Sequence, residues 1–275
     1  MTDPGLHVRF PAACFVSRAE FENYEREMRA RLDDRRAYER GLGSREESIV
    51  RDGTCAPCLR RARFTARTAG GEALEDGRLM PDWRGQLVCD CEDRLDNRNR
   101  ALLHFLEAEA GLRGWSRVLL FGPPGPVDRR IAAVAGSVVS IARLGSARAA
   151  SGTGGYRLDA ADGAFHLAVS SDYLQRVPPL EAALAELRRV LAPGGRCVFT
   201  VPFRDRSART VSRLEGLPLV DGRWPAEAGG TVHEAGWDIL DRLRGAGFTD
   251  ARAHAYWSDE LGYLGSGNMI FAAAL

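Results

Sequence analysis

The sequence of 275 residues predicts an α/β protein built on a doubly wound, mixed β-sheet. Three observations predict this fold class. From about residue 98 to the last residue, short apolar runs alternate with helical segments, which is the pattern of βαβ units. The apolar run at 117–121 passes into a Gly-Pro turn that opens a helix. The last two apolar segments, 251–257 and 268–273, are expected to pair antiparallel, which makes the sheet mixed.

The elements between these segments follow from local signals. A helix is predicted at 98–111, before the first strand of the sheet, and further strands at 137–141 and 167–170. The helix predicted at 179–191 is expected to end at the Ala-Pro-Gly-Gly segment, because proline cannot continue a helix and glycine adopts the left-handed cap conformation. The remaining predicted elements are a helix after Val127, a strand at 197–202 and a helix at 237–246.

Residues 1–97 differ from the rest of the chain in composition. They are polar, rich in arginine and poor in strand signals, with one predicted helix at 18–40. We therefore expect two regions, an N-terminal helical and cysteine-rich module at 1–97 and an α/β domain at 98–275.

The composition excludes several kinds of chemistry. All 38 basic residues are arginine, so no lysine can form a Schiff base, anchor pyridoxal phosphate or serve a P-loop. A net charge of +1 gives no support for nucleic acid or a charged membrane as a partner. Because no apolar run approaches the roughly 20 residues of a membrane helix and the first residues lack a signal-peptide pattern, a cytoplasmic location is expected.

Four of the cysteines form two close pairs, Cys55-Ala-Pro-Cys58 and Cys89-Asp-Cys91. Four thiolates satisfy a tetrahedral zinc ion, and a metal could organise a region that is short of core-forming residues. The spacing therefore predicts a structural Zn²⁺ held by Cys55, Cys58, Cys89 and Cys91. The alternative is that these cysteines are reduced and have no common function, since disulfides fit poorly with a cytoplasmic setting.

Two segments carry a resemblance to a known family. Residues 162–203, DGAFHLAVSSDYLQRVPPLEAALAELRRVLAPGGRCVFTVPF, resemble the fourth strand, following helix, Pro-Gly-Gly turn and fifth strand of class I S-adenosylmethionine-dependent methyltransferases. The segment HEAGWDILDRLRGAGF at 233–248, followed by two strands, is similar to the end of that family's domain. Residues 81–106 resemble the passage from a zinc knuckle into the first helix in members that carry such a module. The resemblance implies a Rossmann-like fold with S-adenosylmethionine as cofactor.

The resemblance also implies where this cofactor binds. Gly122 stands at the first glycine position of the family's turn, whereas prolines occupy the next two positions. The main-chain N–H groups of Gly122 and Gly125 are expected to contact the cofactor. No carboxylate ends the second strand, where the family usually holds the ribose hydroxyls, and Leu120 takes the place of the usual acid on the first strand. The residues predicted to bind the cofactor are Gly122, Pro123, Gly125, Ala142, Arg143, Ser170 and Ser171.

Methyl transfer from a sulfonium ion needs an aligned nucleophile, a desolvated pocket and in some enzymes a general base. The resemblance implies that groups just after the fourth strand face the methyl group, so Asp172 and Tyr173 are predicted catalytic residues. His233 is predicted to act as a base if the segment before it folds over the site. The alternatives are a turn or helix cap for Asp172 and a structural, hydrogen-bonded role for His233.

The sequence thus favours a methyltransferase that acts on a small molecule, such as a sugar or specialised metabolite, with a zinc module before the catalytic domain. Two alternatives remain open. The fold could have lost methyl transfer and catalyse another reaction or bind a partner, because several cofactor positions depart from the family. The cysteine-rich module could itself be a protein-interaction element. Neither nucleic acid nor a membrane is expected as a partner, and the oligomeric state does not follow from the sequence.

Overall fold

The computed structural model describes residues 8–141, 148–150, 155–177, 179–213 and 231–275. Its contacts divide the chain into two compact units. The first unit comprises Met1–Ala13, Ala19–Glu109 and Ala255–Asn268, and the second comprises Cys14–Arg18, Ala110–His254 and Met269–Leu275. Among the described residues, no helix has the length and apolar character needed to cross a membrane.

The secondary structure of the described residues is as follows. The strands are β1 (Ala12–Phe15), β2 (Ser48–Cys55), β3 (Arg60–Arg67), β4 (Glu72–Ala73), β5 (Leu79–Met80), β6 (Val88–Cys89), β7 (Arg117–Leu120), β8 (Ser137–Ser140), β9 (Arg148–Ala150), β10 (Gly155–Arg157), β11 (Phe165–Ser171), β12 (Leu191–Thr200), β13 (Val211–Ser212), β14 (His233–Glu234), β15 (Asp250–Tyr256) and β16 (Met269–Ala274). The helices are α1 (Arg18–Glu27), α2 (Arg29–Gly41), α3 (Trp83–Gln86), α4 (Asn97–Ala108), α5 (Pro126–Ala132), α6 (Leu180–Val190) and α7 (Ile239–Gly245).

The largest sheet has seven strands in the order β1-β15-β16-β12-β11-β7-β8. The neighbours β8, β7, β11 and β12 are parallel, and β16 runs antiparallel to β12. The central strands are apolar on both faces, as expected for strands covered on both sides: Leu119, Val169 and Val198 are all buried. The predicted mixed, doubly wound α/β fold is therefore confirmed.

The carboxyl ends of the four parallel strands meet at one edge of this sheet. Helix α5 connects β7 to β8, and α6 connects β11 to β12. In open sheets of this kind, ligands bind just beyond the carboxyl ends of the strands. The residues that follow β7 and β11, at 121–125 and 172–173, therefore belong to the edge where a cofactor is expected.

The first unit contains more β-structure than the sequence suggested. Strands β2 and β3 pair antiparallel along their whole length, and β6 adds a third strand. In β3 the buried residues Ala62, Phe64 and Ala66 alternate with exposed or half-buried arginine and threonine. Alanine adds little to a hydrophobic pattern, which is why the alternation was overlooked. The prediction of one helix at 18–40 was also wrong in detail, because the segment forms two helices that are separated at Met28.

The predicted boundary between residues 97 and 98 falls at the start of α4. Helix α4 begins at Asn97, and the side chain of Asp96 caps it by accepting a hydrogen bond of 2.7 Å from the backbone N–H of Asn99. Most of α4 is buried, including Leu102, Leu103 and Phe105. This helix is therefore a core element of the first unit.

Candidate cofactor edge and cysteine cluster

The turn after β7 contains prolines, and helix α5 nevertheless begins in a regular way. The backbone N–H of Phe121 donates to the Val169 carbonyl at 2.7 Å, which holds the end of β7 against β11. Pro123 is exposed, and Gly125 is extended, with φ of −162° and ψ of −170°. Pro126 is the first residue of α5, a position that suits proline because its missing N–H would have no helical partner. The predicted contact residue Pro123 therefore lies on the outer side of an ordered turn.

The two glycines of this turn have different surroundings. A Cβ atom on Gly122 would lie 3.4 Å from Cβ of Tyr173, so Tyr173 covers that glycine. The Tyr173 ring also packs edge-on against Phe121, with 6.1 Å between ring centroids. Around Gly125, by contrast, no described atom lies within 4 Å of the place where Cβ would stand. The turn is thus closed by Tyr173 on one side and open at Gly125.

Asp128 is a carboxylate at this turn that no sequence motif singles out. It is the third residue of α5, and its half-buried side chain hydrogen-bonds with the backbone N–H groups of Gly125 and of Asp128 itself. This is the N-terminal half of a capping box. Burial has the largest effect and raises the pKa of Asp128, while these hydrogen bonds lower it. The Gly125 N–H, expected to contact the cofactor, therefore lies close to a carboxylate of the same turn.

The residues after β11 have an unusual backbone. Asp172 has a φ of +43°, in the left-handed region, which aspartate tolerates better than most residues. Its N–H donates to the carbonyl and to the hydroxyl of Thr200, both at 3.1 Å, and its carbonyl accepts from Gln175 Nε2 at 2.7 Å. Neighbouring elements therefore hold a conformation that costs about 1–3 kcal/mol, as is common at functional sites.

Three buried polar atoms at this edge have no hydrogen-bond partner among the described residues. They are the hydroxyl oxygens of Ser140 and Ser170 and the side-chain carbonyl oxygen of Gln175. Ser140 ends β8, Ser170 lies near the end of β11, and Gln175 follows shortly after it. Buried polar groups usually have partners, because an unpaired group costs about 1–3 kcal/mol. Two hydroxyls and an amide oxygen without partners fit a polar ligand such as S-adenosylmethionine.

His233 lies against the turn that follows β11. The backbone N–H of Val232 donates to the Gln175 carbonyl at 2.9 Å, and His233 Nε2 lies 3.1 Å from the Val177 carbonyl. Because a carbonyl only accepts, Nε2 carries the proton and Nδ1 of the neutral ring keeps a lone pair. Burial lowers the pKa of His233, which favours this neutral form. These contacts place His233 beside residues 175–177, and its catalytic role stays a prediction.

Two of the predicted cofactor residues, Ala142 and Arg143, lie outside the described residues. Ser171 is half-buried at the last position of β11, and Ser170 precedes it in the buried part of the strand. The structure thus brings Gly122, Ser170 and Tyr173 to one edge.

Three of the four predicted zinc ligands lie together. The Sγ atoms of Cys55, Cys58 and Cys89 are all within 4.8 Å of one another. Tetrahedral Zn²⁺ with Zn–S bonds of about 2.3 Å needs sulfur atoms about 3.8 Å apart, so small side-chain movements suffice. Cys91 is not part of this group of three, but it packs against the same core and its charge raises the pKa of Cys58.

The thiols of this cluster are held in the protonated form when no metal neutralises them. Hydrogen bonding with Cys58 lowers the pKa of Cys55, but hydrogen bonding with Cys89 and burial outweigh it and raise the pKa to about 12. Hydrogen bonding with Cys55, followed by burial, raises the pKa of Cys58 to about 12 as well. Metal binding at this cluster would therefore release protons.

Both cysteine pairs are followed by a left-handed residue other than glycine. Leu59 directly follows Cys58 with a φ of 49°, and Arg94 lies three residues after Cys91 with a φ of 50°. Each N–H closes a tight turn, from Leu59 to the Ala56 carbonyl and from Arg94 to the Cys91 carbonyl, both at 3.0 Å. One turn thus contains Cys58 and the other begins at Cys91.

Arg100 is a fully buried cation beside the cysteine cluster. Its guanidinium donates to the Leu261 carbonyl at 2.6 Å and the Gly262 carbonyl at 3.0 Å, and it lies 4.0 Å from the centroid of the Phe64 ring. Among the described residues no carboxylate forms an ion pair with it. Its positive charge lowers the pKa of Cys55, although other effects on that thiol are larger. A buried cation near a thiol favours its anionic, metal-binding form, here that of Cys55.

Comparison with known proteins supports the fold. Residues 138–199, from β8 to β12, match the model of a family described as a methyltransferase domain. This match confirms the resemblance to methyltransferases in the central part of the second unit. The comparison with curated proteins finds no match.

Several solved structures are similar over the larger part of the chain. An S-adenosylmethionine-dependent methyltransferase from Mesorhizobium loti is 20% identical with a TM-score of 0.41, covering 62% of this chain and 95% of that one. The YcgJ protein from Bacillus subtilis is 14% identical with a TM-score of 0.40, covering 63% and 95%. A methyltransferase from Aquifex aeolicus is 14% identical with a TM-score of 0.37, covering 62% and 87%. At these scores the similarities carry no information on substrate.

Proposed function

We propose that the protein is an S-adenosylmethionine-dependent methyltransferase that acts on a small molecule. The observation that carries the proposal is the match of residues 138–199 to a methyltransferase domain, on a sheet whose carboxyl edge holds three buried polar atoms without partners. The bound cofactor would supply a methyl group on a sulfonium ion. Ser140 and Ser170 would hold the cofactor by hydrogen bonds, and the backbone of Gly122 would contact it closely.

The remaining residues of the edge would act on the acceptor molecule. In this proposal Nδ1 of His233 takes the proton that the acceptor loses, because Nε2 is engaged with the Val177 carbonyl. Asp172, fixed by Thr200, would orient the acceptor through its side chain. Tyr173 would exclude water from the reacting groups, since its ring covers Gly122.

Cofactor binding is tested by titration calorimetry with S-adenosylmethionine and S-adenosylhomocysteine. We expect both to bind, and we expect Ser140→Ala to weaken binding about fivefold, since one hydrogen bond contributes about 1 kcal/mol. Ser137→Ala is the matched control, because Ser137 is the exposed first residue of the same strand. Equal affinities for the two variants would place the cofactor elsewhere.

The substrate class is tested with radiolabelled S-adenosylmethionine and a cell extract. We expect the labelled methyl group in molecules that pass a membrane of low molecular-weight cut-off, that separate chromatographically from S-adenosylmethionine and that are not labelled when the purified protein is left out. Label found only in protein or nucleic acid would contradict the small-molecule proposal while leaving methyl transfer intact.

A second candidate is a methyltransferase fold without methyl transfer. Three observations favour this second candidate. Tyr173 covers Gly122, the Asp128 carboxylate lies close to the Gly125 N–H, and neither β7 nor β8 ends in a carboxylate. In this case neither cofactor form should bind at millimolar concentration. Any measured methyl transfer to an acceptor would rule it out.

For the first unit we propose a structural Zn²⁺ bound by Cys55, Cys58, Cys89 and Cys91. The cluster of three thiols and the buried Arg100 beside it support this proposal. The donor set is that of a closed structural site rather than a catalytic one, because four thiolates leave no open position for substrate.

A further inference from the structure

The first unit contains a cavity that none of the clustered cysteines lines. Its volume is about 490 Å³, which is within the range of sites for small molecules. The residues that determine its chemistry are Arg9, Phe10, Tyr24, Arg31, Arg35 and Trp257. Neither the proposed methyl transfer nor the proposed zinc site uses any of them.

One wall of the cavity is a helical face. Tyr24, Met28, Arg31 and Arg35 all line the cavity, and they are spaced by four, three and four residues along α1 and α2. This spacing places successive side chains on the same face of a helix. Because the helix is interrupted at Met28, the spacing places Arg31 and Arg35 on one face of α2, and Tyr24 of α1 lines the cavity as well.

The lining also includes an indole ring whose position is fixed. Trp257 Nε1 donates to Glu39 Oε1 at 2.7 Å, and the same oxygen accepts from the Gly265 N–H at 2.7 Å. Glu39 is only 5% exposed, so this pair of hydrogen bonds is sheltered from water. The guanidinium carbon of Arg35 lies 4.8 Å from the centroid of the indole ring. The cavity thus combines a held aromatic surface with a cation beside it.

All charged side chains that line the cavity are positive. Three arginines contribute, and no aspartate or glutamate is among the described residues that line the cavity. Three guanidinium groups around one cavity repel one another, so an anion bound among them would be favoured. Guanidinium forks match phosphate oxygens in geometry, and aromatic rings bind planar heterocycles by stacking.

We propose that this cavity binds a nucleoside monophosphate. Arg9, Arg31 and Arg35 contact the phosphate, with Arg35 held by the Trp257 ring, and the base lies against the ring of Tyr24. An inorganic phosphate alone would leave the aromatic wall unused, and a nucleoside alone would leave the arginines without an anion.

Calorimetry with the purified full-length protein tests this inference. The probes are AMP, UMP, adenosine and inorganic phosphate. We expect both monophosphates to bind, and adenosine and phosphate to bind at least about tenfold more weakly, as loss of an arginine–phosphate or stacking contact predicts. Equal binding of phosphate and AMP would overturn the nucleoside part of the proposal. Absence of AMP binding at millimolar concentration would overturn all of it.

Two variants, each of one arginine in α2, test whether AMP binds in this cavity. Arg31→Ala should weaken AMP binding at least about tenfold. Arg29→Ala, which removes an exposed arginine that does not line the cavity, should leave it unchanged. Circular dichroism confirms that both variants are folded. If the two variants bind AMP alike, the nucleotide is elsewhere, for example at the cofactor edge, and the inference fails.

A single-stranded oligonucleotide of six residues is the last probe. If it binds more tightly than AMP and Arg31→Ala abolishes that binding, the cavity is part of a nucleic-acid surface and the proposal of a free mononucleotide is wrong. S-adenosylmethionine, which carries no phosphate, should bind the Arg31→Ala variant and the unmodified protein equally. The calorimetric comparison of AMP binding therefore tests the nucleotide proposal independently of whether the protein transfers methyl groups.

Discussion

Arg100 shows how one side chain can constrain the chemistry around it. A buried guanidinium loses its hydration, and three backbone carbonyls, at 2.6 Å, 3.0 Å and 3.4 Å, replace only part of it. Its Nε atom is buried and has no partner among the described residues. A zinc ion with four thiolates carries a net charge of about −2. Arg100 is therefore suited to neutralise part of the negative charge of a zinc–thiolate site. It has this role only when the metal is bound.

Replacing Arg100 with methionine tests this assignment. Arg100→Met keeps the length of the side chain but removes the charge, so we expect zinc to be released about tenfold faster to a chromogenic chelator. Arg98→Met is the control, because Arg98 lies on the same helix and pairs with Asp96 at 3.2 Å. Equal release rates for the two variants would show that Arg100 does not act on the metal centre.

Single residues also show what the sequence could and could not predict. The zinc ligands were proposed from spacing alone, and the structure brings three of them within 4.8 Å. The roles of Arg100 and Asp128 were not predicted, because each depends on a neighbour that only the folded chain supplies.

Helix α6 shows how an element of the second unit is fixed by charge as well as by packing. Glu186 is buried in this helix, where it accepts from the Leu158 N–H at 2.6 Å and from Arg189 Nε at 2.8 Å. Burial alone would raise the pKa of Glu186, but the hydrogen bonds from Arg189 and Leu158 outweigh it and lower the pKa below its usual value. The carboxylate is therefore more stable in the folded protein than in the unfolded chain.

This shift predicts how stability depends on pH. Because the pKa is lower in the folded state, the contribution of Glu186 is present above the unfolded value of about 4.3 and is lost as pH falls through the folded value. Glu186→Gln should lower the free energy of unfolding at pH 7 by about 1–3 kcal/mol and weaken this acid dependence. Urea unfolding at pH 7 and pH 4 measures both effects.

The control for this prediction is Glu181→Gln on the same helix. Glu181 is exposed and pairs with Arg242, so its loss should cost less than about 1 kcal/mol. A cost for Glu186→Gln as small as for Glu181→Gln would contradict the assigned role of the buried carboxylate.

Helices and strands with a regular hydrophobic pattern were predicted well. Strands in which arginine alternates with small residues were not. The helix at 180–190 and the strands around it were expected from apolar periodicity and from the Pro-Gly-Gly turn. Strands β2 and β3 were missed because arginine alternates there with small residues, so the buried face is contributed by Ala62, Phe64 and Ala66. Their stability comes from pairing with each other and from the core around the cysteines, which a local pattern does not report.

For the whole molecule, each compact unit has a core of its own kind. The second unit is centred on parallel strands with buried aliphatic and aromatic residues such as Val169, Val198 and Phe199. In the first unit, one buried cluster contains Cys55 and Cys89 together with Phe64, Trp83 and Leu87. If the cysteines hold zinc, the stability of this cluster includes the free energy of metal binding, whereas the core of the second unit does not depend on it.

Removing zinc should therefore affect the two units differently. After treatment with a chelator, hydrogen exchange measured by mass spectrometry should show loss of protection in β2, β3 and β6, while β7, β11 and β12 keep theirs. Cys58→Ser should give the same pattern without a chelator, because it removes one of the clustered thiols. Cys14→Ser, which changes an exposed cysteine of the second unit, should not. Protection of β2 and β3 that is unchanged by the chelator and by Cys58→Ser, or a purified protein without zinc, would mean that the cysteines stabilise the first unit only as buried thiols.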